Sequence, residues 1–279
     1  MDTHNEKMFS LAGRRIVLTG AAGFFGRYFA LALLEAGAKK VHLLDWDIPG
    51  LSGLEQSLAQ KGLTDGMIHR VNQNDEVHVE EIFGEILAEG PVDILINNSF
   101  RFGPTTGFGD SSGRVQTATK DQVMSSFESG CWWSLRASQL VAPGMKEKGT
   151  GNIINIGSMY GLVAPNPDLY ASRDYFNPVG YSMSKAAVIA QTRYLAAWLG
   201  PEIRVNALAP GAIPNNERRS ENSEQNKDEE FVRRLVDRTL LKRVGHPTDL
   251  VGPLVFLASE ASRYMTGQVV VVDGGWTTT

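Results

Sequence analysis

Short apolar runs alternate along this chain with longer stretches in which apolar residues recur every three or four positions. The short runs predict β-strands at Arg15–Thr19, Val41–Asp45, Met67–Val71, Val92–Asn97, Asn152–Gly157, Arg204–Leu208 and Gln268–Val272. The periodic stretches, among them Phe25–Ala36, Val77–Ala88, Tyr181–Leu199 and Leu250–Leu257, predict amphipathic helices. This alternation predicts an α/β fold: a Rossmann-type, doubly wound parallel sheet of about seven strands with helices on both faces. Ile16-Val17-Leu18 and Val269–Val272 are continuously apolar, as expected of strands buried on both faces.

No internal repeat and no linker rich in Pro, Gly or Ser divides the 279 residues, so they read as one domain with a flexible start at residues 1–10. One stretch breaks the rhythm. Asn215 to Glu230 is almost wholly polar and stands between a strand and a helical pattern. It reads either as a solvated loop or as part of a lid over a ligand, spanning residues 212–235.

Composition narrows the function classes. A net charge of −4 leaves no concentrated basic surface for nucleic acid. A single cysteine, Cys131, excludes an intrachain disulfide. No run approaches the ~20 apolar residues of a membrane span, and the first residues lack a signal-type apolar core. The expectation is a cytoplasmic protein with no membrane partner. His42, His69, His78 and His246 have no metal-ligand spacing with one another or with Cys131, so no metal is expected.

Chemistry enters after the first strand, at Gly20-Ala21-Ala22-Gly23-Phe24-Phe25-Gly26. Gly20 permits a tight turn, Gly23 a close approach of backbone to a pyrophosphate, and Gly26 tight packing of helix on strand. The helix that follows offers free N–H groups to phosphates. The second strand ends at Asp45, whose carboxylate could accept ribose hydroxyls and would repel a 2′-phosphate; a plain turn cap is the alternative. NAD is therefore expected over NADP. Tyr181 and Lys185 lie one helical turn apart on one face, so an ammonium could lower the phenol's pKa for acid–base work. Alone, that spacing also fits an exposed helix pair. Ser158, just past the carboxyl end of the fifth strand, could hydrogen-bond a substrate oxygen or simply cap a turn.

Together these features resemble the short-chain dehydrogenase/reductase family, in its short single-domain branch. The resemblance runs from about Leu11 to Trp276. It rests on Gly20/Gly23/Gly26, Asp45, Asn97-Asn98, Ser158, Tyr181/Lys185, Pro210-Gly211 and Tyr264-Met265-Thr266-Gly267 with Asp273-Gly274-Gly275. It implies an NAD-dependent oxidoreductase moving a hydride between nicotinamide and a secondary alcohol or ketone. Ser158, Tyr181 and Lys185 would do the chemistry. Gly20, Gly23, Phe25, Gly26, Asp45, Asn72, Asn97, Tyr181, Lys185, Pro210, Gly211 and Ile213 would hold the cofactor. The resemblance also implies a homodimer or homotetramer, with Trp132-Trp133 in packing or at a subunit contact.

Four departures qualify that resemblance. The glycine spacing is Gly-x-x-Gly-x-x-Gly rather than Gly-x-x-x-Gly-x-Gly, with Phe24 at the usual middle glycine. Asn97-Asn98-Ser99-Phe100 replaces Asn-Asn-Ala-Gly. The family's fourth-helix asparagine, expected near Phe127, Glu128 or Ser129 on alignment through Gly130, is absent, which puts a water relay to the lysine in doubt. Ser158 precedes Tyr181 by 23 residues instead of about a dozen. The additional segment, residues 159–179, would form a substrate wall. Its Arg173 and Asp174, with the polar lid, suggest a polar or sugar-like substrate. The insertion and the run from Asn215 to Pro247 look similar to members that modify flagellin and surface glycans. Tyr170 and Tyr175 lack a lysine four residues on and are not rival bases. Two other readings stay open: an epimerase or dehydratase that keeps its NAD, and a catalytically inactive NAD-binding protein.

Overall fold

The computed structural model describes residues 7–171, 176–215 and 229–278. Seven parallel strands form one sheet: β1 (Arg15–Thr19), β2 (Lys40–Asp45), β3 (Gly66–Arg70), β4 (Ile94–Asn97), β5 (Gly151–Ile156), β6 (Ile203–Pro210) and β7 (Val269–Val272), in the order β3-β2-β1-β4-β5-β6-β7. Parallel neighbours need crossover connections. These are supplied by α1 (Phe24–Glu35), α2 (Ile48–Gln60), α3 (Glu76–Ala88), α4 (Lys120–Phe127), α5 (Trp133–Lys148), α6 (Val179–Leu199), α7 (Glu229–Arg238) and α8 (Thr248–Ala258).

Strand alternation builds the two layers. On β1, Ile16 and Leu18 join Phe29, Leu33, Leu250 and Leu254 on one face of the sheet. Val17 between them joins Phe83, Val141, Met145 and Leu195 on the other. The four-residue apolar run on β7 has a different origin from that expected. β7 is the sheet edge, and Val271 there is 37% exposed, so the run does not mark a strand buried on both faces.

Element types agree with the sequence reading and boundaries move by at most two residues. The helix α2 went unread because Pro49, Gly50 and Gly53 interrupt its pattern. Pro49 stands in the first turn, where a missing N–H costs nothing, and Leu51, Leu54 and Leu58 carry its buried face. The start of the chain is anchored from Leu11, which is fully buried, while Ala12 bridges Ala38. Residues 1–6 of the expected flexible start lie outside the described residues. So do Arg173, Asp174 and Tyr175 of the insertion and residues 216–228 of the lid. No described helix is long and apolar enough to cross a membrane.

The strand order reverses between β1 and β4, so the connections leaving their paired carboxyl ends run in opposite directions and open a crevice, the place where ligands of open α/β sheets bind. Gly20 leaves β1 and Asn98 leaves β4 at that crevice.

Candidate active site

The turn after β1 is shaped by its glycines. Gly20 has φ +67°, and a Cβ there would lie 3.0 Å from the Ser99 backbone. A Cβ on Gly26 would fall 2.0 Å from the Gly20 carbonyl, so α1 can start this close to β1 only with glycine at that point. Gly23 precedes α1 in extended conformation, with no side chain capping the first turn and no acidic residue in it. Those N–H groups can meet an anion. Phe24 occupies the first turn beside Phe25, ring centroids 5.4 Å apart, and Phe25 packs on the core.

Asp45 closes the far side. Its buried carboxylate accepts from the Ala22 N–H at 2.9 Å, the Trp46 N–H at 2.8 Å and the Asp47 N–H at 3.1 Å. Burial pushes its pKa up, and the three backbone donors pull the other way. Asn72 sits exposed past β3, its Oδ1 accepting from the Asn74 N–H, while Asn98 Nδ2 donates to the Gly20 carbonyl. Asn97 turns its side chain inward. Its Nδ2 donates to Asn155 Oδ1 on the paired strand at 2.9 Å, so any approach to a ligand would use its backbone. Pro210 ends β6, and Gly211 passes so close to Asp273 that a Cβ would lie 2.3 Å from the Asp273 Cα. Ile213 packs against Gly245, where a side chain would collide with it. A glycine turn, an uncapped helix start and an acidic strand end along one crevice fit a dinucleotide.

Beyond the carboxyl end of β5, Ser158, Tyr181 and Lys185 come together. Ser158 caps a short 3-10 turn, its Oγ accepting from the Tyr160 N–H at 3.1 Å, and also hydrogen-bonds the Tyr181 phenol. Capping and contact with the tyrosine thus coexist in one hydroxyl. Lys185 is 4% exposed, and its Nζ donates to the Ile156 carbonyl at 2.8 Å. Burial lowers its pKa to about 8. Burial raises the Tyr181 pKa, opposed by the Ser158 hydrogen bond. That differs from the expected lowering by an ammonium: in the protein alone, desolvation of the phenolate wins.

Aromatic rings not anticipated from the sequence surround this pair. Phe100 and Phe108 each stand edge-on to Tyr181 at 5.1 Å, and the Lys185 Nζ lies 5.3 Å from the Phe100 ring centre. The fourth-helix departure has its structural counterpart here. Residues Glu128–Trp132 form a π-helical turn between α4 and α5. Its Gly130 faces α6 so closely that a Cβ would meet Ser184 Oγ at 2.7 Å and the Phe100 ring at 3.5 Å. Glu128 pairs instead with Arg101, and Ser129 donates to the Ser125 carbonyl. Trp132 donates to Glu76 at 2.9 Å and Trp133 lies under the Arg101 guanidinium.

The described part of the insertion packs against α7. Tyr160 and Leu169 pack with Leu235 of α7 and with Trp276, and Tyr170 meets Phe176 edge-on and Phe231 at a tilt. Tyr160 hydrogen-bonds Tyr170, and burial drives its pKa far up. Arg234 of α7 donates to the Asp168 and Leu169 carbonyls at 3.2 Å, which fastens the helix to the insertion. The noted Phe100 departure was a usable signal for this aromatic lining; Tyr160 and Trp276 carried none.

Residues 20–277 match the family model described as enoyl-(acyl carrier protein) reductase. A 7alpha-hydroxysteroid dehydrogenase of Bacteroides fragilis is 31% identical, over 94% of this chain and 93% of that protein. A galactitol 2-dehydrogenase (L-tagatose-forming) of Cereibacter sphaeroides is 31% identical, over 97% of each. The crystal structure of a gluconate 5-dehydrogenase from Burkholderia cenocepacia in complex with NADP and tartrate aligns with a TM-score of 0.82 at 28% identity. That alignment covers 99% of this chain and all of that one.

Proposed function

Because the chain belongs to the short-chain dehydrogenase/reductase family of NAD(P)-dependent oxidoreductases acting on secondary alcohols, we propose that Tyr181, Ser158 and Lys185 oxidise a polyol or sugar-like carbinol, or reduce the matching ketone, with NAD. The observation that carries this reading is the convergence of the three side chains past β5, with the Ser158 hydroxyl on the Tyr181 phenol.

When bound, the nicotinamide accepts or supplies the hydride. The protein's own groups handle the proton. Tyr181 Oη takes it from the carbinol or returns it to the carbonyl oxygen. Ser158 holds the same substrate oxygen and stabilises phenolate. Lys185, one turn on from Tyr181 on α6, favours the phenolate electrostatically and would hold the ribose of the bound cofactor. Gly20, Gly23, Phe25 and Gly26 would hold the pyrophosphate side, Asp45 and Asn72 the adenosine, and Asn97, Pro210, Gly211 and Ile213 the nicotinamide side. Asp45 supports NAD, since its carboxylate would repel a 2′-phosphate. The similar gluconate dehydrogenase holds NADP, so the preference rests on this residue.

A second copy of the chain is the partner we propose for α6. Met183, Tyr194 and Trp198 stand exposed on one side of it, and the Tyr194 and Trp198 rings stack at 6.0 Å. We extend the substrate proposal to sugars and sugar phosphates, the class that a kinship with flagellin- and surface-glycan-modifying members would imply. The test is net NADH formation from galactitol, gluconate and related polyols, with Tyr181→Phe as control. Substrate-dependent NADH that disappears in the variant supports the reading. An unchanged rate in the variant, or turnover with no net NADH, overturns it.

A further inference from the structure

Helix α7 presents Phe231, Arg234, Leu235 and Arg238 at the spacing 0, 3, 4, 7, which is one face. Three of the four point inward: Phe231 meets the Tyr170 ring at a tilt, Arg234 binds the carbonyls of the insertion, and Leu235 is buried against Tyr160 and Trp276. Arg238 continues that face. Its guanidinium lies over the Trp276 ring, 5.7 Å from the centre, and Trp276 stands edge-on to Tyr160 at 6.5 Å.

Tyr160 ties this cation to the chemistry. It packs in one cluster with Trp276, on which Arg238 lies, and Tyr181 packs against that same cluster. Arg238 also lacks what the neighbouring arginines possess. Arg233 and Arg234 pair with Glu230, and Arg243 pairs with Asp249. Arg238 makes no ion pair or hydrogen bond with any described residue. An exposed guanidinium over an indole keeps its donors free for a carboxylate or phosphate.

We propose that Arg238 is a substrate-specificity residue, binding an anionic group of a polyol whose carbinol faces Tyr181. This rests on the polyol dehydrogenase reading above and narrows its range of neutral and anionic polyols to sugar acids or sugar phosphates. Trp276 and the anchored α7 act as its platform, and the insertion fixes the distance from the anion to the reacting carbon.

The test compares wild type, Arg238→Gln and Arg238→Lys, with NADH affinity and thermal unfolding as controls. Gluconate, fructose 6-phosphate and galactitol serve as substrates in the direction each allows. Arg238→Gln should raise KM about 10- to 100-fold for the anionic substrate used, the scale of a lost charge-assisted hydrogen bond, and leave galactitol within about twofold. Arg238→Lys should recover part of the loss. In parallel, tartrate and inorganic phosphate are titrated into the NADH complex by nicotinamide fluorescence. Weaker binding of tartrate in Arg238→Gln identifies a carboxylate site, and weaker binding of phosphate a phosphate site. Equal binding of both anions by wild type and Arg238→Gln overturns the proposal, even where galactitol is oxidised. Anion binding that depends on Arg238 without turnover of any polyol leaves this site standing and removes the polyol reading instead.

Discussion

The Phe100 ring stands at 88° to the ring of Tyr181, with centroids 5.1 Å apart, and its face lies toward the Lys185 ammonium at 5.3 Å. One aromatic side chain therefore touches both members of the proposed acid–base pair. The edge-on contact fixes the phenol, and the ring quadrupole favours the charged lysine, an effect of roughly 0.5–2 kcal/mol. Replacing Phe100 with Leu keeps much of the bulk and removes the quadrupole. Lys185 should then lose its proton at lower pH and Tyr181 ionise at higher pH. The pH profile of kcat for alcohol oxidation should move up by about half a unit to one unit, with NADH affinity little changed. A profile identical to wild type would show that the ring only fills space.

Tyr181→Phe tests the chemistry itself. The substituted ring can keep its contacts with Phe100 and Phe108, so folding should survive. Loss of the hydroxyl removes the group that exchanges the proton, and kcat should fall at least about a hundredfold, the scale of lost general acid–base catalysis. Steady-state rates and thermal unfolding, measured together, separate the chemical effect from misfolding.

The pattern that made this fold legible was local. Apolar runs named seven strands, and the turns at their carboxyl ends carried Gly20, Asp45, Ser158 and Pro210. What stayed hidden depends on partners far along the chain. Val269–Val272 reads as a central strand because apolarity does not distinguish a doubly covered strand from an edge strand; only its single neighbour, β6, does. The place of Asn97 at the end of β4 does not tell that its side chain turns inward, its Nδ2 donating to Asn155, 58 residues away. Tyr160 and Arg238 gain meaning only when α7 folds across the insertion onto Trp276.

Asp45 makes a prediction in which stability and specificity move together. Its carboxylate serves three backbone N–H groups and, in the cofactor site proposed above, would also face the adenosine, with Trp46, 72% exposed, next to it. Asp45→Ser removes the charge that opposes a 2′-phosphate and strands some of those donors. The ratio of kcat/KM for NAD over NADP should fall about 10- to 100-fold, with a stability loss of about 1–3 kcal/mol. An unchanged ratio would place the discrimination elsewhere, even if stability fell.

His42 sets an acid limit to the fold. It is fully buried on β2, with Nδ1 3.0 Å from Nε2 of His69 on β3 and Nε2 3.4 Å from the Arg15 guanidinium. Burial first, then the charges of His69 and Arg15, lower its pKa from 6.5 to about 4, and burial lowers His69 as well. Between those two pH values the unfolded chain binds a proton that the folded chain refuses. The contribution is therefore fully present above pH 6.5 and is lost as pH falls toward 4, on the order of 3 kcal/mol at the acid end. Urea midpoints at pH 7, 6 and 5 should fall steadily in the wild type. In His42→Gln, which keeps polar atoms near Arg15 and His69 but does not titrate, the same series should be flatter. The window above pH 5 matters because most carboxylates stay ionised there, so a full slope in His42→Gln would assign the acid sensitivity to groups other than this histidine.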